Sequence, residues 1–325
     1  MHARWAIAML AACAAAVPVT SCGGASTGLQ SMTLYTCATD TVEQAVVSAF
    51  EKAHGGAKVN VYRAATGDLN ARIAADTRSG GIKADVIWAC DPLTMHGYDD
   101  QGLLRAWSPP NAADIPSADR TPHFTGIDVL YMVAVVHTGT TPPATWADLA
   151  MPAFKGAVAL PSPTFAASAL GLLGYLSSAP GYGVAYYQRL KDNGAVQVNA
   201  PTDALVGVEQ GTYGAGVTLA NAAYIDKAKG SPIDVVWPHP GGVAIYAPIG
   251  VTTKKNLSPQ AEKFASFAAS RSGQKLMAAQ GTYVTIPGLG GPPIPAGSPT
   301  VAPDWPTLFK SSTSVLAGYG KIFTS

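Results

Sequence analysis

Apolar and polar positions along this chain switch repeatedly between two periods. Met32-Thr33-Leu34-Tyr35 reads as a short buried strand. Asp40 stands three before Glu43, a capping-box-like start, and Val42, Ala45, Val46, Ala49 and Phe50 then recur on one face of a helix that ends at His54-Gly55-Gly56. Val59 to Tyr62 is the next strand. Thr66-Gly67-Asp68 opens a second helix carrying Leu69 and Ile73, and Ala84 to Trp88 is a third strand. Asp91-Pro92 has the order of a cap followed by a first-turn proline. Strands alternating with helices over short links predict a parallel sheet built from right-handed crossovers.

The pattern then breaks and restarts. Residues 111–125 are rich in Pro, Asp and Ser and read as a surface loop. Val129 to Val136 is a long apolar strand that leads to Pro142-Pro143. A second alternating set follows. Its strands are predicted over 157–160, 196–199, 216–219 and 233–237, and its helices over 164–177, 183–191, 202–210 and 221–229. Residues 242–251 form a strand leading back, and Ser258-Pro259 opens a long helix to Ala279. The tail after Gly281 is dense in Gly and Pro and ends in a short apolar segment, 315–323. Two alternating sets joined near 130–140 and again near 238–250 predict two lobes. In open parallel sheets a ligand sits at the carboxyl ends of the strands, so two such edges facing each other form a cleft walled by helix N-termini.

Composition narrows the partners. The formal charge is +1, with no basic stripe interleaved with aromatics, which argues against nucleic acid. The six histidines show no H-E-x-x-H spacing, no P-loop is present, and no nucleophile elbow joins a strand to a helix. No catalytic residues and no metal or other cofactor are assigned.

The first residues carry an address. A basic Arg4, an apolar run from Trp5 to Val17 and then small residues have the layout of a secretion signal. Val19-Thr20-Ser21-Cys22 resembles the lipobox of bacterial lipoproteins, in which the chain is cut before the cysteine and the cysteine is lipidated. Residues 1–21 are then a signal peptide, 22–30 a linker, and the membrane is met only through lipid on Cys22. Arg4 is the one charged side chain lost with the signal. Cys13 leaves as well, so Cys37 and Cys90 remain in an oxidising exterior, where two leftover cysteines most often pair. Buried free thiols or a catalytic cysteine, with His96 as its base, are the alternatives.

Pro143-Ala144-Thr145-Trp146-Ala147-Asp148-Leu149, followed by Pro152-Ala153-Phe154-Lys155-Gly156-Ala157-Val158-Ala159, resembles a run found in extracellular solute-binding proteins of ABC importers. The resembling group handles ferric iron, 2-aminoethylphosphonate and sugar phosphates. Arg63-Ala64-Ala65-Thr66-Gly67-Asp68-Leu69, Ala84-Asp85-Val86-Ile87-Trp88 and Lys227-Ala228-Lys229-Gly230 agree in order. The resemblance implies an α/β fold of the two-lobed, periplasmic-binding-protein-like type II, with a ligand cleft between the lobes. Residues 31–130 and 245–325 would form the first lobe and 131–244 the second. It implies a monomer that binds a small solute and meets a membrane permease, and it implies no enzyme.

Thr66, Gly67 and Asp68 at a helix start offer a hydroxyl and free N–H groups to an anion. The loops Thr36, Cys37, Thr39 and Cys90, Asp91 follow the first and third strands on the same edge. The second lobe contributes Ser162, Thr164 and Ser168, where Ala166-Ala167 departs from the Ser-Gly-[ST] of phosphate-binding relatives, and Thr218 with Asn221. Each of these residues also reads as a helix cap or a loop brace. Ferric binders of the group place adjacent tyrosines where this chain has Asn221-Ala222-Ala223-Tyr224, and Tyr186-Tyr187 lies on another helix. The leading expectation is therefore an organic phosphate or phosphonate such as 2-aminoethylphosphonate. Ferric iron is the alternative, and a polyamine or sugar a further one. Trp88 and Trp237 follow strands and face either the cleft or the core; His239 reads as a loop histidine.

Overall fold

The computed structural model describes residues 30–323. The signal segment and Cys22 lie outside them. Among the described residues eleven strands form one continuous curled sheet in the order β2-β1-β3-β9-β4-β7-β5-β6, with β8, β10 and β11 on its margins.

In the first lobe β1 (Gln30–Thr36) is flanked by β2 (Ala57–Arg63) and β3 (Val86–Trp88), all parallel. Helices α1 (Asp40–Ala53), α2 (Thr66–Arg78) and α3 (Pro92–Asp100) follow these strands in turn. The apolar face of α1 is buried through Val42, Val46, Val47 and Phe50, and the Phe50 ring meets that of Phe264 edge-on at 5.2 Å. Residues 111–125 hold two short 3-10 turns rather than bare loop.

In the second lobe β5 (Val158–Pro161) lies between β6 (Val196–Val198) and β7 (Ala215–Leu219), again all parallel. Here α4 (Ala167–Ser178) follows β5, with α5 (Gly183–Asp192) after it; α6 (Pro201–Glu209) follows β6, and α7 (Ala220–Ala228) follows β7. The fourth predicted second-lobe strand, β8 (Ile233–Val236), pairs antiparallel with β4 rather than with β5, β6 or β7.

Two long strands join the lobes. β4 (Phe124–His137) pairs with β9 (Gly242–Val251) through its first half and with β7 through its second. The predicted helix from Ser258 to Ala279 is two helices, α8 (Ala261–Ala269) and α9 (Arg271–Ala279). Ser270 breaks the run and caps α9, its Oγ accepting from the Gly273 amide at 3.1 Å. Short strands β10 (Tyr283–Val284) and β11 (Thr300–Val301) pair with β4 and β9.

The predicted short tail segment is the last turns of a longer helix, α10 (Trp305–Phe323). It was expected with the first lobe, and it packs both on α3 of that lobe and on α4 and α5 of the second. Leu308 fills the space over Gly174, Tyr319 meets Tyr187 edge-on, and Phe309 stacks on His96 at 4.0 Å. Among the described residues no helix is long and apolar enough to cross a membrane.

Candidate functional site

Strand direction fixes where the cleft lies. β4 is antiparallel to β9 and β9 is antiparallel to β3, so β4 runs in the same sense as β1, β2 and β3. β7 runs against β4. The carboxyl ends of the two parallel sets therefore point at each other along β4. The first rim is in register at Thr36, Arg63 and Trp88, with Trp88 opposite Ile249. The second is reached where Leu219 stands opposite Met132. Residues 128–131 of β4, with 244–247 of β9 beside them, span the gap as its floor.

The rim loops are those that follow the strands. Cys37 and Cys90 form a disulfide with Cα atoms 5.9 Å apart, joining the loops after β1 and β3. The pairing expected from the cysteine count is thus present, and it leaves neither sulfur as a thiol. Thr39 is exposed at the N-cap of α1, without a side-chain cap bond. Thr66 is half-buried as the first residue of α2, one place inside the N-cap Ala65, and Gly67 and Asp68 beside it are exposed. Thr164 is exposed in the loop after β5, and Ser168 is buried in the first turn of α4. Asn221 is half-buried in the first turn of α7, and its Oδ1 has no hydrogen-bond partner among the described residues.

Three of the expected contacts are committed inside the fold. The Thr218 side chain is fully buried, and its hydroxyl donates to the Pro201 carbonyl at 2.8 Å, bracing the start of α6. Thr36 is equally buried and accepts from the Ala38 amide at 3.0 Å, which shapes its own loop. Asp91 is buried and caps α3, with Oδ1 accepting from the Thr94 amide at 2.8 Å. Burial pushes its carboxyl above the ordinary range, against the pull of that amide. A residue between a strand and a helix reads the same in sequence whether its side chain turns in or out, which is why spacing did not show that these three are buried.

Sequence reasoning missed the floor. Tyr131 lies there beside Trp237, ring centroids 5.3 Å apart, and edge-on to Tyr283 at 4.9 Å. The Trp237 indole donates to Tyr224 Oη at 3.0 Å, so this tryptophan is bound into an aromatic cluster. Trp88 is fully buried in the core of the first lobe. Asp128 is buried on the floor, and burial raises its carboxyl to about 8 while the indole of Trp88 acts the other way. Asp119 is raised to about 6 by burial. The long apolar strand masked Tyr131, Asp128 fell just before its expected start, and the Pro-rich reading of 111–125 masked Asp119. Tyr186 and Tyr187 are buried in α5, and His239 is exposed in its loop.

One property is shared by most of the helices that begin at the two rims. The N-termini of α1, α2, α4 and α7 carry no side-chain cap to their free amides; α3 is capped by Asp91, and at α6 Asp203 accepts from the Ala200 amide at 2.9 Å. Such ends leave backbone N–H donors and the positive pole of the helix dipole directed at the gap. Among the described residues, no group of three or more His, Cys, Asp or Glu side chains could hold a metal ion.

Residues 33–282 match the family model described as bacterial extracellular solute-binding protein. No curated protein sequence gives a match. Among solved structures, this fold is similar to that of iron-bound HitA from Pseudomonas aeruginosa, with a TM-score of 0.78 at 18% identity over 90% of this chain and 99% of that one. It is also similar to the periplasmic binding protein AfuA from Actinobacillus pleuropneumoniae with fructose-6-phosphate bound, with a TM-score of 0.79 at 18% identity over 90% and 98%. The periplasmic binding protein P5PA gives a TM-score of 0.75 at 19% identity over 90% and 98%.

Proposed function

The chain belongs to the bacterial extracellular solute-binding proteins, and on that premise we propose that it captures a small anionic solute, an organic phosphate or phosphonate such as 2-aminoethylphosphonate, for the membrane permease of an ABC importer. The family is one of binding proteins, not of enzymes. The observation that carries the anionic reading is the set of uncapped helix N-termini on both rims. Each supplies unpaired backbone donors of the kind that phosphate and phosphonate oxygens accept. Lobe closure would bring donors from both sides onto one anion. The lipobox-like Cys22 supports a lipid tether that holds a monomeric protein near its permease.

Ferric iron is the second reading, favoured by the likeness to iron-bound HitA. It is weakened at α7, where an adjacent tyrosine pair is replaced by Asn221-Ala222 and the nearby Tyr224 Oη accepts a bond from Trp237. Hard ferric ion wants several anionic oxygens.

Thermal unfolding with 2-aminoethylphosphonate, fructose 6-phosphate, inorganic phosphate, spermidine, glucose and ferric citrate tests the choice. A solute at a hundred times its dissociation constant stabilises the folded protein by roughly 2.7 kcal/mol. An organophosphorus solute is expected to raise the melting temperature, and ferric ion is expected to give no visible tyrosinate band. A ferric-dependent band with no response to the phosphorus compounds would replace the anionic reading.

A further inference from the structure

Arg63 was not singled out by spacing, yet it occupies the first rim. It is the last residue of β2, in register with Thr36 at the end of β1. Its side chain does not run outward from this edge strand. It leans across the end of β1, where Nε donates to the Ala38 carbonyl at 2.6 Å and lies 3.0 Å from Asp40 Oδ1. The guanidinium is thereby placed beside the uncapped start of α1, three residues before the uncapped start of α2. It is 40% exposed, and its two terminal nitrogens make no hydrogen bond to any described residue.

That arrangement suits recognition better than bracing. One nitrogen anchors the plane, and the two Nη groups remain as a fork that matches two oxygens of a phosphate or phosphonate. Asp40 offsets part of the charge, but it is 67% exposed and well solvated, so its ion pair with Arg63 is weak. A tetrahedral anion seated over the loop 37–39 would meet the fork together with the free amides of α1 and α2.

Resting on the anionic reading above, we propose that Arg63 is a specificity-determining residue of the site: its free Nη fork binds the phosphorus-bound oxygens of the solute from the first lobe and disfavours bare cations.

The competing role is structural, with Arg63 and Asp40 acting as a loop brace, and the two roles differ in sign at Asp40. Binding of 2-aminoethylphosphonate and of inorganic phosphate is measured by isothermal titration on the mature chain and on R63A, R63K and D40N, with unfolding of each ligand-free protein as a control for folding. The expected result for R63A is a loss of affinity of about ten- to hundredfold, the range for a charged hydrogen-bonding partner. R63K retains part of the binding, because the charge remains and the fork is lost. D40N binds more tightly than wild type, because a competing carboxylate is gone. If D40N weakens binding as R63A does, the pair is a brace and the proposal is overturned. R63A binding at wild-type affinity overturns it equally while leaving the anionic reading intact. A wild-type protein that binds neither probe overturns the anionic reading, and this inference with it.

Discussion

Asp85 Oδ2 lies 2.9 Å from Lys254 Nζ, tying the residue before β3 to the segment just after β9. The same buried carboxylate accepts from the Thr33 amide at 2.7 Å and from the Ser258 amide at 2.8 Å. One side chain thus holds three chain segments where the chain re-enters the first lobe. Removing it leaves two amides and an ammonium without their acceptor. D85A is expected to lose about 3–5 kcal/mol of stability, the range for breaking a buried pair from one side. K254M loses less, since Lys254 is partly exposed and the amides keep their partner. Urea unfolding of both variants checks the order, and equal losses would contradict it.

Thr218 separates bracing from ligand contact. Its hydroxyl is fully buried and bonded to the Pro201 carbonyl. T218V is therefore expected to cost about 1–2 kcal/mol of stability, for a carbonyl left without its donor. Its affinity for 2-aminoethylphosphonate should stay near the wild-type value. A large loss of affinity with unchanged stability would return Thr218 to the ligand.

The fold was legible wherever one period ruled a segment. The i, i+3, i+4 spacing in α1 and the return strand over residues 242–251 both stand as predicted. Helix starts were less legible because a single residue shifts a cap. The first helix begins at Asp40 with Thr39 as N-cap, which puts Glu43 one place beyond the reach of a capping box. The helix expected from Thr164 begins at Ala167, because the Phe165 and Ala166 amides turn back onto the Ser162 carbonyl. The rim loops could be found from sequence, since each follows a strand. The floor could not, since it arises from the pairing of residues 128–131 with β9, more than a hundred positions away. Arg63 was hidden for a related reason: its inward lean depends on a carbonyl contributed by the neighbouring strand's loop.

Two glycines of α4 allow close packing, Gly174 against α10 and Gly171 against β9. A Cβ on Gly174 would fall within contact-breaking distance of three atoms of Leu308, and one on Gly171 would strike Ile245. Gly to Ala in a helix interior ordinarily stabilises by up to about 1 kcal/mol. Here the steric conflict reverses the sign, and G174A is expected to lose about 1–3 kcal/mol, as for overpacking. The G174A/L308A double variant should lose less than the sum of its two single changes. Additive losses in urea unfolding would show that Leu308 is not the obstacle.

The acids at and near the floor make stability fall as pH rises. Burial raises Asp128 to about 8, against roughly 3.9 for an unfolded aspartate. Between those values the folded chain keeps a proton that the unfolded chain has released. The contribution is therefore full below about pH 4, declines as pH climbs, and is lost once pH passes the folded value near 8. Asp119, raised by burial to about 6, acts with the same sign in the lower part of that window. Its effect is largely complete by pH 6, so the interval from pH 6 to 8 reports mainly on Asp128. D128N removes the titrating group while nearly preserving its shape. The wild-type urea midpoint is expected to drop from pH 6 to pH 8 more steeply than that of D128N, and D128N should be the more stable of the two at pH 8. Parallel slopes for the two proteins would mean that Asp128 is ionised in the folded state throughout, and that the floor of the cleft carries its charge at neutral pH.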